Sequence, residues 1–198
     1  MSTERLNPET VTHACWVVVS GLPAAGKSTL AKRLADALAW PFIDKDDHLE
    51  ALFDTHSTVA PEQRGPLSRQ ADALFRTAAL KAGSAVITSW WRHPASTSDS
   101  GTPTEWLLQH DRRLIEVHCA CPATLALRRF MSRQRHPGHG DGLRRSQDLM
   151  PQFQTGEALG PLFADLSMVC PTVTPVPALD VQALVQAVRR LAGAADCN

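Results

Sequence analysis

Apolar runs and segments with helical periodicity alternate along this chain. Short apolar runs predict buried strands at 15–20, 41–44, 85–89, 114–121 and 166–170. Helical spacing predicts helices at 28–38, 66–81 and 122–131, one containing Trp106 and Leu107, and one that follows Asp180 as its N-cap. In the helix at 28–38, for example, Leu30, Leu34 and Leu38 fall on one face. This alternation predicts an α/β fold, with about five parallel strands in one sheet and helices on both faces.

The octapeptide GLPAAGKS lies between the first predicted strand and the first predicted helix, at Gly21 to Ser28. It matches the phosphate-binding loop G-x-x-x-x-G-K-[ST], in which backbone N–H groups and a helix N-terminus surround a polyphosphate. Lys27 is expected to contact the β- and γ-phosphates, and Ser28 to ligate Mg²⁺. The candidate ATP-binding residues are Gly21, Leu22, Pro23, Ala24, Ala25, Gly26, Lys27, Ser28 and Thr29.

The length, charge balance and cysteines of the chain further limit the classes of protein to which it can belong. The 198 residues predict a single domain over 1–198, and 20 basic residues balance 20 acidic ones, so no overall field attracts nucleic acid or a membrane. The absence of a membrane-span run and of a signal-peptide pattern indicates a cytoplasmic protein. Four of the five cysteines lie in or beside apolar runs, as buried free thiols do, and Cys119-x-Cys121 lacks the second pair that zinc needs.

Several classes of protein use a phosphate loop, and other segments distinguish them. The chain has neither the D-x-x-G nor the N-K-x-D of a GTPase switch. The third predicted strand continues into Thr88-Ser89-Trp90-Trp91-Arg92 without the acidic pair of an AAA+ motor. A small-molecule or nucleotide kinase is the class that remains.

The segment FIDKDDHLE at 42–50 resembles the end of the second strand in kinases related to polynucleotide kinase, gluconate kinase, chloramphenicol phosphotransferase and zeta toxins. The resemblance implies a nucleoside-monophosphate-kinase-like fold and transfer of the γ-phosphoryl group from ATP, with Mg²⁺, to a hydroxyl. It also implies that an Asp just past this strand activates the acceptor hydroxyl. Asp46 is the best match and Asp47 the second, while Asp44 is expected to take part in the magnesium site. Alternatively, these aspartates cap the following helix.

The same resemblance implies an arginine-bearing lid at about 133–146. Arg129 and Arg133 fit the R-x-x-x-R spacing and would neutralise charge on the transferring phosphoryl group, and Arg135 is a further candidate. Alternatively, the three arginines are a solvated basic helix end. Three glycines and few large apolar side chains predict that the lid is held loosely in the free protein.

The acceptor pocket is expected beside Trp90, Trp91 and Arg92, at the carboxyl end of the third strand. Alternation along a strand places the two tryptophans on opposite sides, so one is expected in the core and one in the pocket wall. Arg92 would bind an anionic or hydroxyl-rich acceptor. The segment 171–175 matches, by position, the loop that packs against adenine in related kinases.

These observations favour an ATP-dependent phosphotransferase that acts on a hydroxyl of a small molecule. One alternative is a nucleic-acid 5′-hydroxyl kinase, against which the balanced charge argues. The other is a nucleotide-binding regulatory protein with slow ATPase activity. The sequence leaves the acceptor and the oligomeric state open.

Overall fold

The computed structural model describes residues 14–56, 58–173 and 180–193. Its strands are β1 (Cys15–Gly21), β2 (Phe42–Asp44), β3 (Ala85–Thr88), β4 (Arg113–Ala120) and β5 (Ser167–Pro171). Its helices are α1 (Lys27–Leu38), α2 (Lys45–Asp54), α3 (Pro61–Lys81), α4 (Ala123–Ser132), α5 (Ser146–Leu159) and α6 (Val181–Gly193). All strand pairs are parallel, in the order β2-β3-β1-β4-β5. The predicted fold class is therefore confirmed.

The central strand β1 is buried on both of its faces. Val17 and Val19 belong to a core that the sheet forms with residues of α1, α4, α5 and α6. Trp16 and Val18 point to the opposite face, where Phe75 of α3 lies in a second core. A parallel strand covered on both faces needs apolar residues at every position, which explains the continuous apolar run of β1.

The helix α3 begins five residues earlier than the sequence predicted, at Pro61 instead of Pro66. Pro61 suits the first turn because its ring fixes a helical φ and the missing N–H would have had no partner there. The Gln63 side chain reaches back and accepts a hydrogen bond from the backbone N–H of Ala60 at 2.9 Å. With its start fixed in this way, the helix continues through Gly65 and Pro66.

Two further differences concern weak amphipathic patterns. The helix α5 was not predicted, because Pro151 and Gly156 interrupt its periodicity. The predicted helix around Trp106 is a single turn of 3-10 helix, Glu105–Leu108. At the end of the chain, Asp180 caps α6 as predicted, since its side chain accepts from the N–H of Gln182 at 3.0 Å. Within the described ranges, none of the helices is long and apolar enough to cross a membrane.

One carboxylate is fully buried in the sheet, that of Glu116 on β4. Its two oxygens accept hydrogen bonds from the backbone N–H groups of Leu162 and Phe163, both at 2.9 Å, and from the hydroxyls of Ser20 and Ser167. Four donors compensate the desolvation of the charge, so Glu116 fixes the segment that leads into β5.

We expect Glu116→Gln to lower the free energy of unfolding by about 1–3 kcal/mol, because the amide nitrogen cannot accept bonds that a carboxylate oxygen accepts. Urea denaturation measures the change, and Glu105→Gln on the exposed face of the 3-10 turn is the control. Equal stability of the two variants would contradict a structural role for the buried carboxylate.

Candidate active site

A cavity of about 870 Å³ lies at the carboxyl edge of the sheet, beyond the ends of β1, β2 and β3. Its walls are the phosphate loop, the first turns of α2, one face of α3, the loop after β3, the end of α4, the lid (residues 133–146) and the first half of α5. Ligand sites of open parallel sheets occur at this edge. The cavity therefore brings together the phosphate loop and the other segments that the sequence singled out.

The phosphate loop turns on residues with positive φ. Gly21 has φ 128°, and a Cβ there would lie 2.6 Å from the carbonyl oxygen of Cys119 on β4. Gly26 has φ 100°, and Ala24, at φ 60°, adopts the left-handed conformation despite its side chain. Six of the nine predicted ATP-binding residues line the cavity: Pro23, Ala24, Gly26, Lys27, Ser28 and Thr29. The other three hold the loop in place: Gly21 approaches β4, Leu22 packs close to α5, and Ala25 is fully buried.

Lys27 lies across the loop that carries it. Its ammonium donates to the carbonyl oxygens of Gly21 at 3.1 Å and Leu22 at 2.9 Å. Burial lowers the pKa of Lys27 to about 8. A polyphosphate in the loop would supply the negative charge that this ammonium lacks, and would restore its full protonation.

Asp44, at the end of β2, connects the phosphate loop to α2. Its Oδ2 accepts from the Ser28 hydroxyl at 2.7 Å, and its Oδ1 accepts from the backbone N–H of Asp46 at 3.0 Å. Asp44 is thus the N-cap of α2, which confirms capping for this one of the three aspartates. Its side chain is 6 % exposed, and burial raises its pKa to about 6.

The pair Ser28 and Asp44 fits the predicted magnesium site. Hard oxygen donors from a hydroxyl and a carboxylate suit Mg²⁺, which takes few protein ligands and keeps waters and substrate phosphates for the rest. The raised pKa of Asp44 also fits a magnesium site, because a cation here would stabilise the ionised carboxylate that burial disfavours.

The structure separates the two other aspartates. Asp46 lines the cavity, and its Oδ2 forms an ion pair with Arg135 of the lid. Asp47 is exposed and does not line the cavity, so the structure does not bring it into the candidate site, and its binding of substrate stays a prediction. The reason is helical geometry: successive residues in the first turn of α2 point about a quarter-turn apart, and Asp47 faces solvent.

The predicted lid arginines have different partners. Arg129, in the last turn of α4, donates to the carbonyl oxygens of Thr172 at 2.8 Å and Val173 at 3.0 Å, just after β5. It therefore holds the start of the proposed adenine loop, whose residues 174 and 175 lie outside the described residues. The helix ends at Ser132, and the backbone of Arg133 is extended. Arg129 and Arg133 therefore do not share the helix face that their spacing predicted.

The carboxylate of Asp141 lies close to both Arg133 and Arg135. Its Oδ2 lies 3.6 Å from Nη2 of Arg133 and 3.4 Å from Nη1 of Arg135. Burial, followed by the charge of Arg135, lowers the pKa of Arg133. One carboxylate thus contacts two guanidinium groups, of which that of Arg135 also pairs with Asp46.

The lid is docked on α2 by two histidines. The ring of His136 stacks on Phe53 at 5.5 Å, and its Nε2 lies 3.0 Å from Asp54. The ring of His139 meets the edge of Phe53 at 5.3 Å, and its Nε2 lies 2.8 Å from Glu50. Burial lowers the pKa of His139. Gly138 gives Phe53 the close approach that a Cβ would block. In this conformation the lid is packed on α2, and its loose hold in the free protein stays a prediction.

The loop after β3 contains one pocket residue and one core residue in adjacent positions. Trp90 is 37 % exposed and lines the cavity. Trp91 is 6 % exposed, packs with Phe75, and donates its Nε1–H to the carbonyl oxygen of Val19 at 3.0 Å. One tryptophan in the core and one in the wall is what alternation predicted, and Trp91, the buried one, is not among the residues that line the cavity. Arg92 lines the cavity and bonds the carbonyl oxygen of Asp99 at 2.6 Å.

A polar network that the sequence analysis missed crosses the wall of the cavity. Lys45 donates to the hydroxyl of Ser68 at 2.7 Å and pairs with Asp72 at 3.1 Å. Asp72 also accepts from Thr102 at 2.8 Å, and the hydroxyls of Thr102 and Ser89 are 2.6 Å apart. The network therefore connects α2, α3 and the loop after β3.

A signal for this wall was present in the spacing of polar residues along α3. Positions 64, 68 and 72 share one face of the helix at intervals of four, and the apolar residues Leu67, Ala71, Phe75 and Ala79 form the adjoining buried face. A polar helix face normally meets water, and sequence alone does not distinguish that case from a cavity wall.

A phosphate loop after β1 of a parallel sheet with the order 2-3-1-4-5 defines a P-loop nucleotide-binding protein with a kinase-like fold. The chain belongs to the AAA domain family, whose model matches residues 17–150. The predicted resemblance is thereby confirmed as to family and fold.

Several proteins described as kinases are similar to this chain in sequence or in fold. A shikimate kinase of Corynebacterium glutamicum is 39 % identical over 71 residues, which are 35 % of this chain and 42 % of that protein. The chain thus matches less than half the length of this curated relative. A candidate kinase of Chloroflexus aurantiacus has a TM-score of 0.70 at 23 % identity, over 91 % of this chain and 96 % of that one. A sugar kinase of Janibacter sp. has a TM-score of 0.53 at 22 % identity, over 92 % and 99 %. Similarity at this level of identity shows the shared fold.

We expect the variant Asp44→Asn to be more stable than the parent above about pH 6. The folded carboxyl has a pKa of about 6 against 3.8 in its ordinary state, so the folded protein binds the extra proton between these values. Stability therefore falls as the pH rises through this window, and the full penalty, up to about 3 kcal/mol, is present above it. An amide never ionises, and Asn caps a helix as well as Asp.

Thermal unfolding at about pH 8 and about pH 4.5 measures this effect, and each kcal/mol corresponds to about 2–4 °C for a chain of this size. The gain of Asp44→Asn should be larger at the higher pH. Asp47→Asn, in the same first turn but exposed, is the matched control. A gain for Asp44→Asn that is the same at both pH values would show that its carboxyl is not destabilised by ionisation.

Proposed function

We propose that this protein transfers the γ-phosphoryl group of ATP to a hydroxyl group of a small molecule. The observation that carries the proposal is the position of Asp46, a carboxylate in the same cavity as the phosphate loop and two residues beyond the Ser28–Asp44 pair. A nucleotide switch needs no carboxylate there, whereas a kinase needs one to orient and deprotonate its acceptor.

Asp46 has one oxygen available for an acceptor. Its Oδ2 is paired with Arg135, and within the part of the chain that the structure describes its Oδ1 has no hydrogen-bond partner. In the proposed reaction the acceptor hydroxyl gives its proton to Asp46 as its oxygen bonds to the γ-phosphorus. The bond from that phosphorus to the bridging oxygen then breaks, and ADP leaves with the electron pair.

The other side chains of the site compensate charge. Lys27 would leave the carbonyls of Gly21 and Leu22 and bind the phosphates, while Arg133 would meet them from the lid. Mg²⁺ held beside Ser28 and Asp44 would neutralise charge on the β- and γ-phosphates. Arg129 would act indirectly, by fixing the loop after β5 beside the nucleotide.

Two features speak for a small-molecule acceptor over the alternatives. The lid is packed on α2 and lines one side of the cavity, which suits an acceptor that is held between the lid and α2. The polar network on α3 lines a part of the cavity that the hydrolysis of ATP alone does not require. A nucleic-acid 5′-hydroxyl kinase would need a basic surface, and the chain carries no net charge.

We expect Asp46→Asn to reduce kcat for phosphoryl transfer by about 100-fold or more, because the amide keeps the shape of the side chain but accepts no proton. Asp47→Asn, whose side chain faces solvent, should retain transfer. The measurement is ADP formation with a panel of hydroxyl compounds, together with the affinity for ATP, which both variants should keep.

Lys27→Ala is the companion variant for the nucleotide site. We expect it to fold, because the hydrogen bonds of Lys27 among the described residues go to two loop carbonyls, and to lose most of the transfer. Lys81→Ala at the end of α3 is the control. ATP consumption that no hydroxyl compound stimulates, or full transfer by Asp46→Asn, would contradict the proposed function.

A further inference from the structure

The side chains that line the cavity are strongly basic, although the whole chain carries no net charge. Nine of them are Lys or Arg and five are Asp, an excess of four positive charges. The nine are Lys27, Lys45, Arg64, Arg69, Arg92, Arg129, Arg133, Arg135 and Arg144. ATP with its Mg²⁺ would neutralise part of this excess at the phosphate loop. The remainder lies on α3, on the loop after β3 and on the lid.

The contacts of these arginines show which of them lack partners. Arg129 donates to backbone carbonyls, and Arg133 and Arg135 share Asp141, although the Nε–H of Arg133 is buried without an acceptor among the described residues. In contrast, no carboxylate pairs with Arg64 within residues 14–56, 58–173 and 180–193, and its Nε–H is buried without an acceptor.

Arg92 shows a similar deficit on the loop after β3. Its two terminal nitrogens contact Asp99, through the carboxylate at 3.5 Å and the backbone carbonyl at 2.6 Å. Its Nε–H, however, is buried and has no acceptor among the described residues. A buried donor without an acceptor is costly, at about 1–3 kcal/mol, and more when the group is charged. Three such donors line the cavity, on Arg64, Arg92 and Arg133, and they indicate a ligand that accepts hydrogen bonds and carries negative charge.

Arg64 also contacts the lid. Its guanidinium lies directly against the backbone of Gly140, which has φ 63°, and a Cβ at this position would overlap it. Arg64 thus lies between α3 and the docked lid, on the face of α3 that also carries Ser68 and Asp72. A group bound by Arg64 would therefore be enclosed when the lid is docked.

We infer that the cavity contains a subsite for an oxyanion, formed by Arg64 of α3 with Arg92 of the loop after β3. The acceptor molecule of the proposed kinase would then carry a carboxylate or phosphate group in addition to its reactive hydroxyl. This inference rests on the proposed function for the identity of the ligand as an acceptor, but not for the existence of the subsite. Arginine suits the role because its planar fork bonds carboxylate and phosphate oxygens in pairs.

Inorganic sulfate is the probe for the subsite. Calorimetric titration of the protein saturated with Mg²⁺ and a non-hydrolysable ATP analogue, so that the phosphate loop is filled, should show saturable binding of one sulfate. Arg64→Gln should weaken this binding by about tenfold or more, the effect of losing a charge-assisted hydrogen bond. Arg64→Lys, which keeps the charge without the fork, should fall between the two.

Arg128→Gln is the matched control, since Arg128 is exposed on α4 outside this cavity. It removes the same charge and should leave sulfate binding unchanged, and the circular dichroism and unfolding of all variants should match the parent. No saturable sulfate binding, or equal weakening by Arg128→Gln and Arg64→Gln, would overturn the subsite. The outcome would then be general attraction to a basic surface.

Matched pairs of acceptors separate this inference from the proposed function. The pairs are gluconate with sorbitol and shikimate with its methyl ester, in each of which only one member is anionic. Phosphorylation of neutral members as efficiently as of anionic ones would overturn the subsite and leave the kinase standing. Sulfate binding that depends on Arg64, with no transfer to any hydroxyl compound, would leave the subsite standing and overturn the kinase.

Discussion

The buried carboxylate of Asp44 is the constraint on which the site depends. It accepts from Ser28 of the phosphate loop and from the first turn of α2, and so it joins the two strands whose ends carry the nucleotide and acceptor sides. The register of the sheet makes this contact possible, since Asp44 pairs with Thr88, and Thr88 pairs with Val19 two residues before the loop. Burial raises the pKa of this carboxyl to about 6, and a bound cation would stabilise its ionised form.

The helix α2 both contributes a side chain to the cavity and holds the lid. Its first turn presents Asp46 to the cavity, and its later residues Glu50, Phe53 and Asp54 receive the lid. Arg135 completes the link, because it leaves the lid and pairs with Asp46. The contacts that hold the lid on α2 therefore also orient Asp46, the candidate base. A bound acceptor would enter between these two groups and take the place of part of their interaction.

Local signals explain why the fold and the phosphate loop could be predicted from the sequence. Continuous apolar strands, amphipathic helices and the glycines of the loop are each determined by residues close together in the chain. The contacts of single side chains are different. The spacing of Arg129 and Arg133 suggested one helix face, but α4 ends between them, so Arg133 joins Asp141 and Arg129 joins the end of β5.

The wall of the acceptor side shows the same limit. Ser68 and Asp72 lie 23 and 27 residues after Lys45 along the chain, and the packing of α3 against α2 brings the three together. In the sequence they are indistinguishable from a solvated helix face. The same holds for Trp90 and Trp91, where alternation predicted one core and one pocket residue but not which was which.

The central claim is that Asp46 and the phosphate loop act together to move a phosphoryl group onto another molecule. Mass spectrometry of a mixture of polar metabolites incubated with ATP, Mg²⁺ and the protein tests it without a prior choice of acceptor. The account predicts that at least one hydroxyl compound gains a phosphoryl group with the parent protein and Asp47→Asn, and that none does with Asp46→Asn. Release of inorganic phosphate alone, at equal rates with all three proteins, would contradict it.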